Sequence, residues 1–189
     1  MDDFVSLNKD AFSSGQISSK LWLCEELEKI NFSKPQIIWI YGGWYGILSF
    51  LLLSREQVPI KHIRSFDIDS TCQPIADALL ENWVWQNWKF KAFTSDCNTM
   101  SFVDEQPDII INCSTEHFTS NNWFEQIPSG TMLVLQNNNM EHDDHHSCVR
   151  DADQLHDIFP LSPVIYKGNI DFVYPDWKFS RFMIIGNKK

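Results

Sequence analysis

Residues 36–48 read QIIWIYGGWYGIL, an apolar run that is interrupted only by glycines and carries no charge. Such a stretch must be buried on more than one side, and its break at glycine after six residues describes a buried strand that turns sharply into a helix. Gly42, Gly43 and Gly46 are three of only seven glycines in the chain. Glycine permits positive φ and close approach of a ligand, and the amides at a helix start attract negative charge. A tight strand-to-helix turn is the plain alternative; the clustering favours ligand approach.

Twenty-five residues beyond Gly42, the segment Ile63-Arg64-Ser65-Phe66-Asp67 reads as a second strand ending in a carboxylate. In a βαβ nucleotide site an acid near this distance accepts hydrogen bonds from ribose hydroxyls. Asp67 therefore suits a ribose, while Asp69 better suits the cap of the next helix. Together these features imply an α/β domain that binds an adenosine-containing cofactor. A nicotinamide dehydrogenase is disfavoured, because residues 42–46 lack the Gly-x-Gly-x-x-Gly spacing and no second domain follows.

Ile17, Leu21, Cys24, Leu27 and Ile30 recur at three and four, which predicts an amphipathic first helix closed by Pro35. Strands are predicted at about 36–41, 63–66, 89–93, 108–113 and 131–136, the fourth with an Ile109, Ile110, Ile111 core typical of an interior parallel strand. Helices are predicted over 44–53, apolar all round, then from Pro74 with Ile75, Leu79 and Trp83 on one stripe, then over 121–127 and 151–159. No helical pattern separates strands 163–166 and 179–185, so they read as an antiparallel pair. With right-handed crossovers, the expected α/β fold is a Rossmann-like seven-stranded, mostly parallel sheet with helices on both faces and a C-terminal antiparallel hairpin. It fills one domain, with an N-terminal helical segment at 1–35 and a cofactor-binding core at 36–187.

Composition narrows the partners. With 25 acidic against 15 basic residues, the net charge of -10 repels a phosphate backbone and disfavours nucleic acid. Five cysteines without a Cys-x-x-Cys pair read as free thiols, not as a disulfide framework or a zinc knuckle. The absence of an eighteen-residue apolar stretch and of a basic, apolar leader points to a cytoplasmic protein without a membrane partner.

Chemistry in an open α/β sheet collects beyond the strand carboxyl ends. There the sequence places Asn112, then Ser114-Thr115-Glu116-His117, and Asn137, Asn138 and Asn139 after the fifth strand. His117 titrates near neutrality, and Glu116 can orient it or accept a proton itself; a solvated loop start is the alternative. Asp96, in the loop after the third strand, reads as a local turn carboxylate, and Trp44, inside the glycine loop, is expected over the pocket. Glu141-His142-Asp143-Asp144-His145-His146 is rich in metal-ligand types, and His142 and His146 would share a face of a helix. Their spacing matches no zinc pattern and fixes no third ligand, so no metal is expected and the segment reads as a polar flap or solvated loop.

In their order these motifs resemble those of the class I S-adenosylmethionine-dependent methyltransferases, over about residues 17–187. The resemblance puts Tyr41-Gly42-Gly43-Trp44-Tyr45-Gly46 under the methionine part of S-adenosylmethionine. It makes Asp67 the ribose-binding acid and Ile68 an adenine-packing residue, with Asp96 and Cys97 beside the adenine amine. Pro107 to Asn112 resembles the fourth-strand motif ending beside the reacting methyl, and Ile127-Pro128-Ser129-Gly130 the approach to strand five. The chain departs from the family at Ile40, where an acid usually stands, and at Trp44, which replaces a glycine. Lys20, or residues 16–19, is then the candidate to meet the cofactor's carboxylate. The implied activity is methyl transfer to a small-molecule acceptor, with Glu116, His117 and Asn112 at the reacting end and segments 1–20, 114–123 and 137–150 shaping the acceptor pocket. Two other readings are aminocarboxypropyl transfer or cleavage of the same cofactor, and a cofactor-binding protein without catalysis.

Overall fold

The apolar runs become strands in a computed structural model that describes residues 7–189: β1 (Gln36–Tyr41), β2 (Ile60–Asp67), β3 (Phe90–Thr94), β4 (Ile109–Asn112), β5 (Met132–Asn138), β6 (Leu161–Val173) and β7 (Lys178–Lys188). They form one sheet of order β3-β2-β1-β4-β5-β7-β6. The first five strands pair in parallel, and β7 runs antiparallel to both β5 and β6. This is the expected architecture. The hairpin strands are longer than their apolar segments suggested, because edge strand β6 alternates half-buried Tyr166, Ile170 and Phe172 with exposed Lys167, Asn169 and Asp171.

Both faces of the sheet are covered. Ile38, Ile40, Ile63, Ile109 and Ile111 pack under α1 (Ser14–Glu28), α2 (Ile47–Arg55) and α3 (Cys72–Leu79). Trp39, Tyr41, Phe66, Ile110 and Leu133 point the other way, onto Trp123 and Phe124 of α5 (Asn122–Glu125) and Leu155 of α6 (Ala152–Ile158). Short α4 (Glu81–Trp85) follows α3. Successive strand residues face opposite layers, so a strand buried on both sides loses its polar alternation. Among the described residues no helix is long and apolar enough to cross a membrane.

Several helix details differ from the periodicity. α1 starts earlier, at Ser14, because the Ser13 side chain accepts a hydrogen bond from the Gln16 amide as an N-cap. α2 starts at Ile47 and not at Trp44, since Trp44 (φ 48°) and Gly46 (φ 77°) are left-handed. Nor is α2 buried all round: Phe50 is 39% exposed. The buried residues of α3 and its C-cap are Cys72, Ala76 and Leu80, out of step with the expected Ile75 and Leu79, and Leu79 is 40% exposed. The β3–β4 connection holds only a 3₁₀ turn, Cys97–Thr99.

Candidate functional site

The parallel strands end together. Tyr41 stands beside Phe66 and Asn112, Asn112 beside Leu135, and Asp67 beside Thr94, which brings the glycine loop, the β2 acid and the loops after β4 and β5 to one edge. Gly43 lies flat on β2, its N–H donating to the Phe66 carbonyl at 3.1 Å, and an added Cβ would stand 1.8 Å from Ser65 Oγ. At Gly46 a Cβ would come within 2.8 Å of Leu80 Cδ1. These two glycines thus answer to packing within the protein. Gly42 (φ 64°) is also close-packed, against the loop after β4, where a Cβ would sit 2.9 Å from Ser114 Oγ. The Trp44 ring lies 5.2 Å from that of Tyr45 and packs with Ala11, Cys72 and Ile75, on the α3 side of the loop.

Asp67 ties the loop to β2. Its Oδ2 accepts from the Trp44 amide at 2.8 Å and its Oδ1 from the Asp69 amide at 3.0 Å. Burial pushes its pKa up, against the pull of these amides. A carboxylate has about four lone-pair sites, so acceptor capacity remains on both oxygens. Ile68, beside it, is 73% exposed. Asp69 serves the turn before α3, accepting from the Thr71 amide and hydroxyl. Asp96 Oδ1 accepts from the Asn98 amide at 2.8 Å and so caps the 3₁₀ turn. Cys97 is buried in the core, and burial raises its thiol to about 12, so it is a neutral packing group.

The end of β4 collects buried polar groups. Asn112 Oδ1 accepts from the Ser114 amide at 3.0 Å, whereas its Nδ2 and the hydroxyl of neighbouring Tyr41 have no partner among the described residues. Glu116 is 1% exposed. Its Oε1 accepts from Asn138 Nδ2 and lies 3.6 Å from Arg181 Nη1, while Oε2 is unpartnered among the described residues. Arg181 also donates to the Cys113 carbonyl at 2.8 Å. Lys20 comes from α1 to the same region, where burial lowers its pKa to about 8 and the nearby Arg181 adds to that, opposed by Cys113, Asp10 and Glu116. Its Nζ donates to Gln16 Oε1 at 2.6 Å.

The segment after β5 is a loop, so His142 and His146 do not form a helical face. Asn137 and Asn138 hold this loop down: Asn137 Nδ2 donates to Thr115 Oγ1 and the Ser147 carbonyl, and Asn138 Oδ1 accepts from the Met140 amide. The His146 and Ser147 amides both donate to the Glu116 carbonyl. His145 is thereby carried to Glu116 and His117, one ligand atom from each of the three lying within 4.8 Å of the others. Sequence reasoning missed His145 and Arg181 as members of this site. Arg181 is placed by the antiparallel pairing of β7 opposite Asn138, and His145 by the return of a loop, neither of which leaves a local signal.

No protein-family model and no curated protein matches the sequence. Among solved structures, the chain is similar to the YcgJ protein from Bacillus subtilis, with a TM-score of 0.69 at 11% identity over 92% of this chain and 99% of that one. It is also similar to the magnesium protoporphyrin IX methyltransferase of Synechocystis PCC 6803 with bound SAM, with a TM-score of 0.67 at 11% identity over 98% and 86%. The [4+2]-cyclase SpnF gives 0.70 at 10% identity over 93% and 83%. At these identities the likeness shows the fold, which is the Rossmann-like class I methyltransferase fold that the motif order implied; a cyclase among the neighbours shows that the fold serves more than one reaction.

Proposed function

We propose that this chain binds S-adenosylmethionine and transfers its methyl group to a small-molecule acceptor. The observation that carries the reading is Asp67, a carboxylate at the carboxyl end of β2, fixed to the glycine loop through the Trp44 amide at 2.8 Å. Its remaining lone pairs suit the two hydroxyls of a ribose, and exposed Ile68 offers an apolar face to a purine. The left-handed backbone at Gly42 suits close approach of the methionine part, with Lys20 as partner for its carboxylate. Asp96 would serve the adenine amine. The unpartnered Asn112 Nδ2 and Tyr41 hydroxyl fit a polar ligand at the end of β4 and β1.

Bound there, the cofactor would supply an activated methyl group. The chain's own part is to align the acceptor with that methyl and exclude water. The turn Thr115–His117 is where a hydroxyl or amine acceptor gives up its proton, with segments 114–123, 137–150 and the described part of 1–20 around it. The net charge of -10 argues for a small acceptor over a nucleic acid. Five unpaired cysteines support a reducing, cytoplasmic setting.

A thermal-shift series with S-adenosylmethionine, S-adenosylhomocysteine, ATP and NAD tests the reading. A ligand at a hundred times its Kd adds about 2.7 kcal/mol, which raises Tm by roughly 5–11 °C in a chain of this size. Both adenosyl compounds are expected to do so. A shift with NAD or ATP alone, or none with either adenosyl compound at millimolar concentration, ends the reading. Release of S-adenosylhomocysteine across a metabolite panel then identifies the acceptor.

A further inference from the structure

Glu116, His117 and His145 each offer one potential ligand atom within 4.8 Å of the other two. The His117 Nδ1 lies 3.0 Å from the Asp144 carbonyl oxygen and the His145 Nδ1 lies 2.7 Å from the Met140 carbonyl oxygen. A carbonyl oxygen only accepts, so each Nδ1 carries the ring proton and each Nε2 is left with a lone pair. The rings meet edge to face, with centroids 4.7 Å apart. The third member is the buried Glu116 carboxylate, held on one oxygen by Asn138 and Arg181 and unpartnered on the other. A cation placed between these groups would meet a lone pair from each.

We propose that Glu116, His117 and His145 form a binding site for a divalent first-row transition ion, of which Zn²⁺ is the natural probe. Two imidazoles and one carboxylate are an established donor set for such ions, and three protein ligands leave a position open for water or another oxygen or nitrogen ligand. Metal–ligand bonds of about 2.0–2.2 Å set tetrahedral ligand atoms roughly 3.3 Å apart, a spacing that small side-chain rotations reach from the present one. The outer contacts match as well: a ligating histidine generally donates its second ring nitrogen to a carbonyl or carboxylate, as both rings do here. Loop and turn are clamped together by the His146 and Ser147 amides on the Glu116 carbonyl and by Ser147 Oγ on the Thr115 carbonyl, so the donors do not depend on a free loop. His142 does not belong to the set, because its Nδ1 is already engaged, accepting from the Asp144 amide at 3.3 Å. Neither does Cys148, whose thiol lies 3.6 Å from His145 on the Nδ1 side.

The site coincides with the proposed acceptor end, yet metal binding stands without the cofactor and is tested without it. Tag-free full-length chain, stripped with chelator, is titrated with ZnCl₂ by calorimetry and, after dialysis, analysed for bound metal; Co²⁺ loading reports the coordination by its visible absorption. One ion per chain is expected, with affinity falling at least about tenfold in His145→Ala and in Glu116→Gln, and staying near wild type in His142→Ala and His146→Ala. Because Glu116 is buried, its variant is judged only beside a circular dichroism melt, whereas His145 sits on a loop and its variant decides alone. Less than one ion per chain, wild-type affinity in His145→Ala, or a loss confined to His142→Ala and His146→Ala would each overturn the site.

Discussion

Replacing Asp67 by Ala separates a residue that only meets a ligand from one that also builds the loop. The carboxylate accepts from the Trp44 amide at 2.8 Å and from the Asp69 amide at 3.0 Å. Each is a hydrogen bond to a charged group, worth about 1.5–3 kcal/mol when buried. Asp67 is half-buried, and water replaces part of each bond, so we take the lower end for both and expect a loss of about 2–4 kcal/mol. For a chain of this length that lowers Tm by roughly 5–15 °C. The same change removes the proposed ribose contacts, so S-adenosylhomocysteine affinity measured by calorimetry below the melting range should fall by about 2–4 kcal/mol as well. Circular dichroism melts give the first number and titration the second. An unchanged Tm with lost affinity would mean that the amides are satisfied without Asp67. A lowered Tm with wild-type affinity would make it a structural tie alone and remove the main support for the cofactor reading.

Gly43→Ala places a Cβ 1.8 Å from Ser65 Oγ and 3.2 Å from Ser65 Cβ, so it should cost several kcal/mol, while Ser65→Gly in the same chain should restore part of that loss. Equal denaturant midpoints for the single and double variants would show that the contact is not the cause. Lys20 carries a pKa lowered to about 8 in the folded chain from 10.5. Between those values the unfolded chain binds more protons, so the burden this lysine places on folding is complete below about pH 8 and fades as pH rises toward 10.5. Lys20→Met should therefore be the more stable chain at pH 7, by up to roughly 3 kcal/mol less the value of the Gln16 bond, with the gap closing above pH 10 in urea titrations. A gap that does not move with pH would refute the shift.

The sheet was legible because burial on two faces leaves a plain record. β1 is apolar from Ile37 to Tyr41 and β4 from Ile109 to Ile111, and their shortness, β-branched residues and bounding Gly or Pro mark them as strands. Helix phase was less legible, for a physical reason. At α3 the side chain that joins the sheet-facing core is the small Ala76, followed by Leu80, and a Cβ at Gly46 would come against both. Tight packing selects small residues, whereas periodicity counts large ones, so the bulky Ile75 and Leu79 pointed to the wrong stripe, while Trp83 does pack against the core from α4.

The site divides along the same line. Gly42, Asp67 and Ile68 are fixed by their own strand ends, and a strand end can be read locally. Glu116 could be read as polar and well placed, but its burial depends on Asn138 from β5 and Arg181 from β7, and the latter pairing is a register across an antiparallel edge. The same holds for His145, which reaches the turn only because Asn137, Asn138 and the Glu116 carbonyl draw the loop back.

Trp44 shows how a departure from the family's glycine pattern is carried. A left-handed conformation costs a residue with a Cβ about 1–2 kcal/mol, and Trp44 holds φ 48°. What offsets it is on both sides of the residue. Its amide is the donor that fixes Asp67, and its ring packs with Ala11, Tyr45, Cys72 and Ile75. A glycine there would keep the amide and relieve the backbone, but it would abandon the packing that joins the 3₁₀ turn Lys9–Phe12, the glycine loop and α3. The indole therefore stands where a glycine would be easier for the backbone because, in this chain, the N-terminal segment is held against the loop by side-chain packing, and Asn8 reinforces it with an amide donated to the Tyr45 hydroxyl at 3.3 Å.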